Sequence, residues 1–179
     1  MGDPKRTRLV FLGFDDEGAA ESVLATVEDG VKQKDIVVED WALVHKAPGG
    51  KVSVRSDKHA DPGAARGGVF GGAAGAVLAA LSGPVGAGAV LAGAAVGAVT
   101  AAVKDSGMKT DDILEVSKLM AEDRTGIMIA VPLAESERFD EYADGHRVYA
   151  LAERRHQVDI VPGRDFERAL SEYRLHEED

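Results

Sequence analysis

The first apolar segment of the chain is an unbroken run over residues 9–14, between the charged residues Arg8 and Asp15. A short continuous apolar run predicts a strand that is covered on both faces. Apolar residues then recur at helical spacing, at Ala20, Val23, Leu24, Val27 and Val31. Because Asp15 and Asp16 precede this pattern, where an N-cap and first-turn anions stabilise a helix, the chain is predicted to open with a strand and a helix.

A β-hairpin is predicted after this helix. Residues 36–46 are rich in β-forming side chains, residues 48–50 form the turn sequence Pro-Gly-Gly, and residues 51–55 alternate with period two. A second helix is predicted from the Thr-Asp-Asp cap at residues 110–112, and a buried strand over residues 126–133. The side chains that this helix is expected to bury are Ile113, Val116 and Met120.

The order of these elements is β-α-β-β-α-β, which is the split β-α-β or ferredoxin-like pattern. We therefore predict an α+β, ferredoxin-like domain built from residues 1–62 and 105–134. The segment between its two parts, residues 63–104, is predicted to be an inserted helical hairpin.

The last part of the chain, residues 135–179, is predicted to be an acidic C-terminal α/β extension that packs on the domain. Residues 110–179 carry 18 acidic and 9 basic side chains, so they hold most of the formal charge of -10. Apolar spacing predicts a short helix around residues 139–143, a strand over residues 148–151 and a helix over residues 166–173.

The inserted segment has an unusual composition. Between Arg66 and Lys104 lie 37 residues without a charge, and 10 of them are glycine. The sequence Ser82-Gly83-Pro84 divides this stretch into arms of 17 and 20 residues. As helices these arms would be roughly 25 and 30 Å long, which is close to the hydrocarbon thickness of a bilayer.

Small residues in both arms are four positions apart, the spacing of a glycine zipper. Residues four apart share one helix face, and a face without side chains lets two backbones approach closely. The hairpin is therefore predicted to pack or oligomerise through the small residues Gly67, Gly68, Gly71, Gly72, Gly75, Ala89, Gly93, Gly97 and Ala101.

The arms are marginal as membrane spans. Their few large apolar residues give about -2 to -4 kcal/mol per arm on the insertion scale, and the glycines reduce this gain. Insertion would therefore need pairing between the arms or between subunits. If the hairpin spans, the basic flanks Arg55, Lys58 and Arg66 before it and Lys104 and Lys109 after it predict both ends on the cytoplasmic side.

Composition limits the classes of partner and site that are expected. An acidic chain is repelled by phosphate backbones, so nucleic acid is not expected as a partner. The chain has no cysteine, which excludes disulfides, thiolate nucleophiles and most zinc sites and fits a reducing compartment. The expected location is cytoplasmic, or membrane-associated from the cytoplasmic side.

The strand ending in Phe14-Asp15-Asp16, the Gly50-Lys51-Val52 turn, the zipper hairpin and Asp105-Ser106-Gly107-Met108 together resemble a family of uncharacterised bacterial membrane proteins of unknown function. The resemblance covers about residues 7–134. It implies a ferredoxin-like domain that carries a Gly-rich hairpin, with links to stress responses and membranes. It brings no catalytic residues.

No catalytic, metal or cofactor site is predicted. Gly86-Ala87-Gly88 meets Leu91 where a dinucleotide fingerprint needs glycine, and Val52 follows Gly50-Lys51 where a P-loop needs Ser or Thr. The dispersed histidines lack the spacing of a metal site and are interpreted as surface or edge residues: His45, His59, His146, His156 and His176. A polar linker is the favoured interpretation of Asp57, His59 and Asp61.

Three other features have structural interpretations. The acid pairs at residues 15–16, 111–112 and 177–178 lie at helix starts or at the terminus, where the helix dipole and solvation explain them. Trp41 is expected to pack in the core or at a sheet interface. The basic residues 154–156 are expected to form ion pairs.

These patterns favour a non-enzymatic, self-associating protein that uses the hairpin to insert into or contact a membrane. A soluble homo-oligomeric scaffold whose hairpins bundle with each other is the second hypothesis. A small-molecule-binding ferredoxin-like protein is the third.

Overall fold

The computed structural model describes residues 6–46, 52–56, 108–119 and 124–161. The protein has an α+β fold, in which five strands form one antiparallel sheet. A 3-10 turn, Leu133–Glu135, follows the fourth strand. The elements in chain order are β1 (Thr7–Phe14), α1 (Glu17–Lys32), β2 (Asp40–Lys46), β3 (Val52–Ser56), α2 (Thr110–Leu119), β4 (Arg124–Pro132), α3 (Ser136–Gly145), α4 (Val148–Leu151) and β5 (Arg154–Ile160).

β1 is a central strand, as its apolar run predicts. The sheet order is β3-β2-β4-β1-β5, so β1 pairs with β4 on one side and β5 on the other. Its residues Leu9 and Val10 have no exposed surface although they point to opposite faces. The predicted burial of both faces is therefore confirmed.

Helices cover both faces of the sheet. On one face, α1, α3 and α4 bury a cluster with the sheet residues Val10, Leu12, Phe14, Trp41, Leu43, Ile127, Ile129 and Val131. On the other face, α2 buries Val116 and Leu119 against Leu9, Phe11, Ala42, Val44, Met128, Ala130 and Ile160. We call these the α1 face and the α2 face.

α1 begins as its sequence predicts. The Asp16 carboxylate accepts hydrogen bonds from the backbone N–H groups of Gly18 at 3.3 Å and Ala19 at 3.0 Å, which makes it the N-cap. The predicted apolar residues from Ala20 to Val27 are buried. Val31 was expected on the same face but is 39% exposed, and it lies one residue before the end of the helix at Lys32.

The strand order differs from the one that the predicted β-α-β-β-α-β assignment requires. That assignment would place β3 between β1 and β2, whereas the structure places β4 there and β3 at the edge beside β2. The second helix of the predicted pattern, α2, also lies on the opposite face of the sheet from α1, whereas a ferredoxin-like fold has both helices on one face. β4 fits the central position because seven of its nine residues are buried.

Two split β-α-β units are interleaved in this sheet. β1 and β2 both run antiparallel to β4, which lies between them, and α1 connects them. β4 and β5 both run antiparallel to β1, which lies between them, and α3 and α4 connect them. The segment predicted as an extension thus supplies β5 to the same sheet.

The path around α4 corrects a sequence prediction. Residues 148–151 were expected to be a strand, but they form a short helix that buries Val148. The chain leaves α3 through Arg147, which has a positive φ of 61° and so interrupts the helix. The strand comes later, at β5.

α2 packs closely on β1 through a glycine. A Cβ added to Gly13 would lie 3.1 Å from the backbone oxygen of Leu119, at the end of α2. The predicted burial of Val116 is confirmed, since it is 1% exposed. The side chains of Ile113 and Met120 lie outside the described residues.

None of the described helices is both long and apolar enough to cross a membrane. The predicted hairpin at residues 63–104 and the predicted helix at residues 166–173 lie outside the described residues. The predictions for these two segments therefore remain predictions.

We predict that Gly30→Ala destabilises the protein by about 1 kcal/mol, because overpacking costs roughly 1–3 kcal/mol and improved helix propensity returns up to about 1. A Cβ at Gly30 would lie 2.6 Å from Cζ of Tyr142, whose hydroxyl donates a hydrogen bond to the backbone oxygen of Thr26. Gly145→Ala is the matched control, because apart from its chain neighbours and the backbone of its own helix no atom lies within 4 Å of its added Cβ. Urea unfolding of both variants measures the difference, and equal stabilities would contradict the prediction.

Candidate functional site

The residues predicted to pack the hairpin lie outside the described residues. They are Gly67, Gly68, Gly71, Gly72, Gly75, Ala89, Gly93, Gly97 and Ala101. Among the described residues, the candidate features are the polar clusters of the sheet and its helices.

A polar cluster ties β1, α3, α4 and β5 together on the α1 face. We call it the Asp140 cluster, and its members are Arg8, Asp140, Tyr149, Gln157 and Asp159. Arg8 donates two hydrogen bonds to Asp159, from Nε to Oδ1 at 2.7 Å and from Nη2 to Oδ2 at 3.1 Å. Its remaining Nη1 donates to Asp140 Oδ2 at 3.1 Å, so one guanidinium joins two carboxylates.

Tyr149 and Gln157 complete this cluster. The Tyr149 hydroxyl donates to Asp140 Oδ1, and Gln157 Nε2 lies 3.2 Å from the same oxygen and 3.0 Å from the hydroxyl. The guanidinium of Arg155 lies 4.2 Å from the centre of the Tyr149 ring, within cation–π distance. Side chains from four elements, β1, α3, α4 and β5, are thereby held in one arrangement.

The contacts within the Asp140 cluster favour the ionised forms of Arg8 and Asp159 and the neutral form of Tyr149. The hydrogen bond from Arg8 lowers the pKa of Asp159, and the same bond raises the pKa of Arg8. Burial, followed by the hydrogen bond to Asp140, raises the pKa of Tyr149 far above its usual value. Tyr149 therefore stays protonated as a donor, which does not suit a general base or nucleophile near neutral pH.

A second polar cluster lies at the other end of the β1–β5 pair. Asp15 Oδ1 accepts from Arg154 Nη2 and lies 3.0 Å from Arg124 Nη1. The hydrogen bond from Arg154, with the charge of Arg124, lowers the pKa of Asp15. Glu153 joins this Asp15 cluster through its carboxylate, which accepts from the backbone N–H of Asp15 at 3.2 Å.

The Asp15 cluster refines two sequence predictions. Residues 154–156 were expected to form ion pairs, and Arg154 does so within the chain. The pair at residues 15–16 was attributed to capping, the helix dipole and solvation. Asp16 caps α1 as predicted, but Asp15 bridges two arginines from β4 and β5. The sequence gives no signal for this bridge, since Asp15 is more than 100 positions from either arginine.

The described histidines have local structural partners. His156 Nε2 lies 3.2 Å from Asp112 Oδ1, which links β5 to α2, and the His156 ring stacks on Phe11. His146 stacks on Tyr142 with ring centres 4.0 Å apart. His45 Nδ1 lies 3.1 Å from Thr125 Oγ1. The other two predicted surface histidines, His59 and His176, lie outside the described residues.

Trp41 packs in the core, which confirms one of its two sequence interpretations. It is 5% exposed and belongs to the cluster on the α1 face. Its ring is therefore not a surface platform for a ligand.

The side chains of these two clusters link different strands and helices of the chain to one another through ion pairs and hydrogen bonds. The carboxylates of Asp15, Asp140 and Asp159 are each bound by an arginine of the same chain. Within the described ranges, no group of three or more His, Cys, Asp or Glu side chains is placed to hold a metal ion. The Asp57, His59 and Asp61 group lies outside those ranges.

Comparisons of the chain with protein-family models, with curated proteins and with solved structures find no match.

We predict that Asp159→Asn lowers stability near neutral pH by on the order of 0.5–1 kcal/mol, a value that allows for solvent screening of a partly exposed pair. Because the folded-state pKa of Asp159 is lowered, the wild type holds this stability above the unfolded pKa and loses it as the pH falls through the folded pKa. The variant should therefore lose less stability than the wild type between neutral and about pH 3. Urea unfolding at both pH values measures this.

Glu141→Gln is the control, because this exposed carboxylate lies on α3 outside the Asp140 cluster. It should keep the wild-type dependence on pH. If Asp159→Asn also keeps it, the ion pair with Arg8 does not contribute to acid sensitivity.

Proposed function

We propose that this chain is a non-enzymatic, self-associating protein whose α+β domain carries a Gly/Ala-rich hairpin that inserts into or contacts a membrane from the cytoplasmic side. The observation that carries this proposal is the stretch of 37 residues without a charge between Arg66 and Lys104. A stretch of this composition has to cover its apolar surface with lipid or with other protein.

The spacing of small residues favours close helix packing as the means of association. Steps of four recur at Gly71 and Gly75 in the first arm and at Gly93 and Gly97 in the second. Such a face lets backbones approach within the range of dispersion and Cα–H···O contacts. Self-association through this face would also offset the weak lipid affinity of each arm.

For the domain itself we propose a ferredoxin-like core made by β1, α1, β2, β4, α3 and β5. The two interleaved split β-α-β units support this assignment. β3 and α2 would then be additions that flank the inserted segment. This assignment keeps the predicted ferredoxin-like pattern but leaves out β3 and α2, which the sequence prediction included, and uses α3 and β5 in their place.

Two other functions give different experimental results. A soluble homo-oligomeric scaffold would bundle its hairpins without lipid, and a small-molecule-binding protein would need neither oligomer nor membrane. A role in a stress response rests on the family resemblance and belongs to the same proposal.

Fractionation of cells that express the full chain tests the membrane part of the proposal. We expect the protein in the membrane fraction, where a carbonate wash retains a hairpin that is inserted in lipid and releases one that only contacts the membrane surface. A variant in which a short polar linker replaces residues 67–103 is the control and should be soluble. Recovery of the full chain in the soluble fraction as a defined oligomer, measured by light scattering, would favour the scaffold, and a soluble monomer would contradict both.

The zipper can be tested by replacing Gly71, Gly75, Gly93 and Gly97 with Leu. These changes raise apolarity and helix propensity, but they place bulky side chains where backbones are expected to touch. We expect the variant to lose its defined oligomer while it keeps or gains lipid affinity. Cross-linking and sedimentation of parent and variant measure this, and an unchanged oligomer would refute the zipper.

A further inference from the structure

β5 is the last strand of the described sheet on its side. It pairs with β1 along one edge, and none of the other described strands pairs with its outer edge. A strand in this position presents backbone N–H and C=O groups that can pair with another strand. The side chains of β5 decide which strand fits.

The side chains of β5 alternate between the two faces. Arg155, Gln157 and Asp159 lie on the α1 face, since their partners in β1 are Leu12, Val10 and Arg8. Arg155 and Asp159 are exposed, and Gln157 is half-buried between them. On this face, β5 therefore carries a cation and an anion placed symmetrically about a neutral residue.

This symmetry matches a second copy of the same strand. When two identical strands pair antiparallel about a two-fold axis perpendicular to the sheet, one residue lies opposite itself. With Gln157 on the axis, Arg155 of each copy lies opposite Asp159 of the other, which gives two pairs of opposite charges. Opposite charges directly across a ladder stabilise the pairing.

The neighbouring registers are less favourable. With Arg155 or Asp159 on the axis, each of these residues would face its own charge. With His156 on the axis, Asp159 would face Glu153 of the second copy, and with Val158 on the axis no opposite charges meet. Like charges directly opposite each other are destabilising, so the charge pattern selects the register centred on Gln157.

The chain already contains the arrangement that this pairing would create. One carboxylate oxygen of Asp15 forms ion pairs with two arginines, Arg124 and Arg154. In the paired state, Asp159 would keep Arg8 of its own chain and gain Arg155 of the second copy. A carboxylate between two guanidiniums is thus compatible with this fold.

We propose that the outer edge of β5 is an interaction surface for a second copy of this chain, which joins two sheets through antiparallel β5 strands centred on Gln157. This surface is independent of the hairpin, so it does not rest on the proposed membrane function. It provides a second route to self-association on the folded domain itself.

A single cysteine tests the register, since the chain has no native cysteine. In full-length Gln157→Cys, the two thiols of a pair lie opposite each other, with Cβ atoms about 5 Å apart. A short bis-maleimide should then give a covalent dimer on a non-reducing gel. Glu137→Cys, an exposed site on α3, is the matched control and should give only the background of random collisions.

A second variant avoids changing Gln157. Arg155→Lys keeps the charge and adds an amine that a carbodiimide can couple to Asp159 of the second copy. Residues 155 and 159 of one chain are about 13 Å apart along the strand, so this coupling cannot form within a chain. Mass spectrometry should identify the peptide that joins residue 155 to residue 159.

Arg155→Glu in the Gln157→Cys background should reduce the dimer to the background level, because it places two acids opposite each other. Lys32→Glu is the matched charge change on exposed α1 and should leave the dimer intact. Circular dichroism of each variant checks that it is folded. A Gln157→Cys dimer no stronger than that of the Glu137→Cys control, together with no peptide joining residues 155 and 159, would overturn the proposal.

The same experiments separate this surface from the hairpin. The cross-link through the thiol at position 157 should persist in the variant with Leu at the four zipper glycines. Its loss there would overturn the independence of the two surfaces, whereas a fall in sedimentation from the parent's oligomer to at most a β5-linked dimer reports on the hairpin.

Discussion

Burial of β1 on both of its faces is the constraint on which the rest of the described structure depends. Its apolar side chains alternate between the α1 face and the α2 face, and each fully buried large side chain contributes roughly 1.5–3 kcal/mol. One layer of helices covers only one face of a sheet. The chain therefore packs α1, α3 and α4 on one side and α2 on the other, and Gly13 lets the end of α2 approach the strand.

Charged groups fix the register of β1 against β5 at both ends of the pair. Arg8 and Asp159 are register partners and hold each other through two hydrogen bonds, and Arg154, opposite Gly13, binds Asp15 just beyond the strand. A slip of one residue would move Arg8 and Asp159 to opposite faces and break both contacts. Apolar burial decides which strands are central, while these ion pairs decide how the polar edge strand is aligned.

The sequence predicts the elements with strong periodicity and misses those stabilised by long-range polar contacts. The apolar run of β1, the Asp16 cap of α1 and the buried residues of β4 all give local signals. β5 reads Arg-Arg-His-Gln-Val-Asp-Ile, and its alternation is hidden because its residues on the α1 face bind Arg8, Asp140 and Tyr149 rather than the core. Residues 148–151 look more like a strand, but burial of Val148 and the turn at Arg147 make them helical. Neither polar cluster could be predicted, since each joins residues that are more than 100 positions apart in sequence.

The position of β4 sets the order in which the chain can fold during synthesis. β4 lies between β1 and β2, yet it follows them in sequence after the whole charge-free stretch, and the pair Leu9 and Ala130 is 121 residues apart. Contacts of such long separation form late, because loop closure has to precede them. During synthesis, β1 and β2 therefore cannot pair with β4 until residues 67–103 have left the ribosome. The charge-free segment is exposed to the surroundings of the ribosome before the sheet of its own domain can be completed.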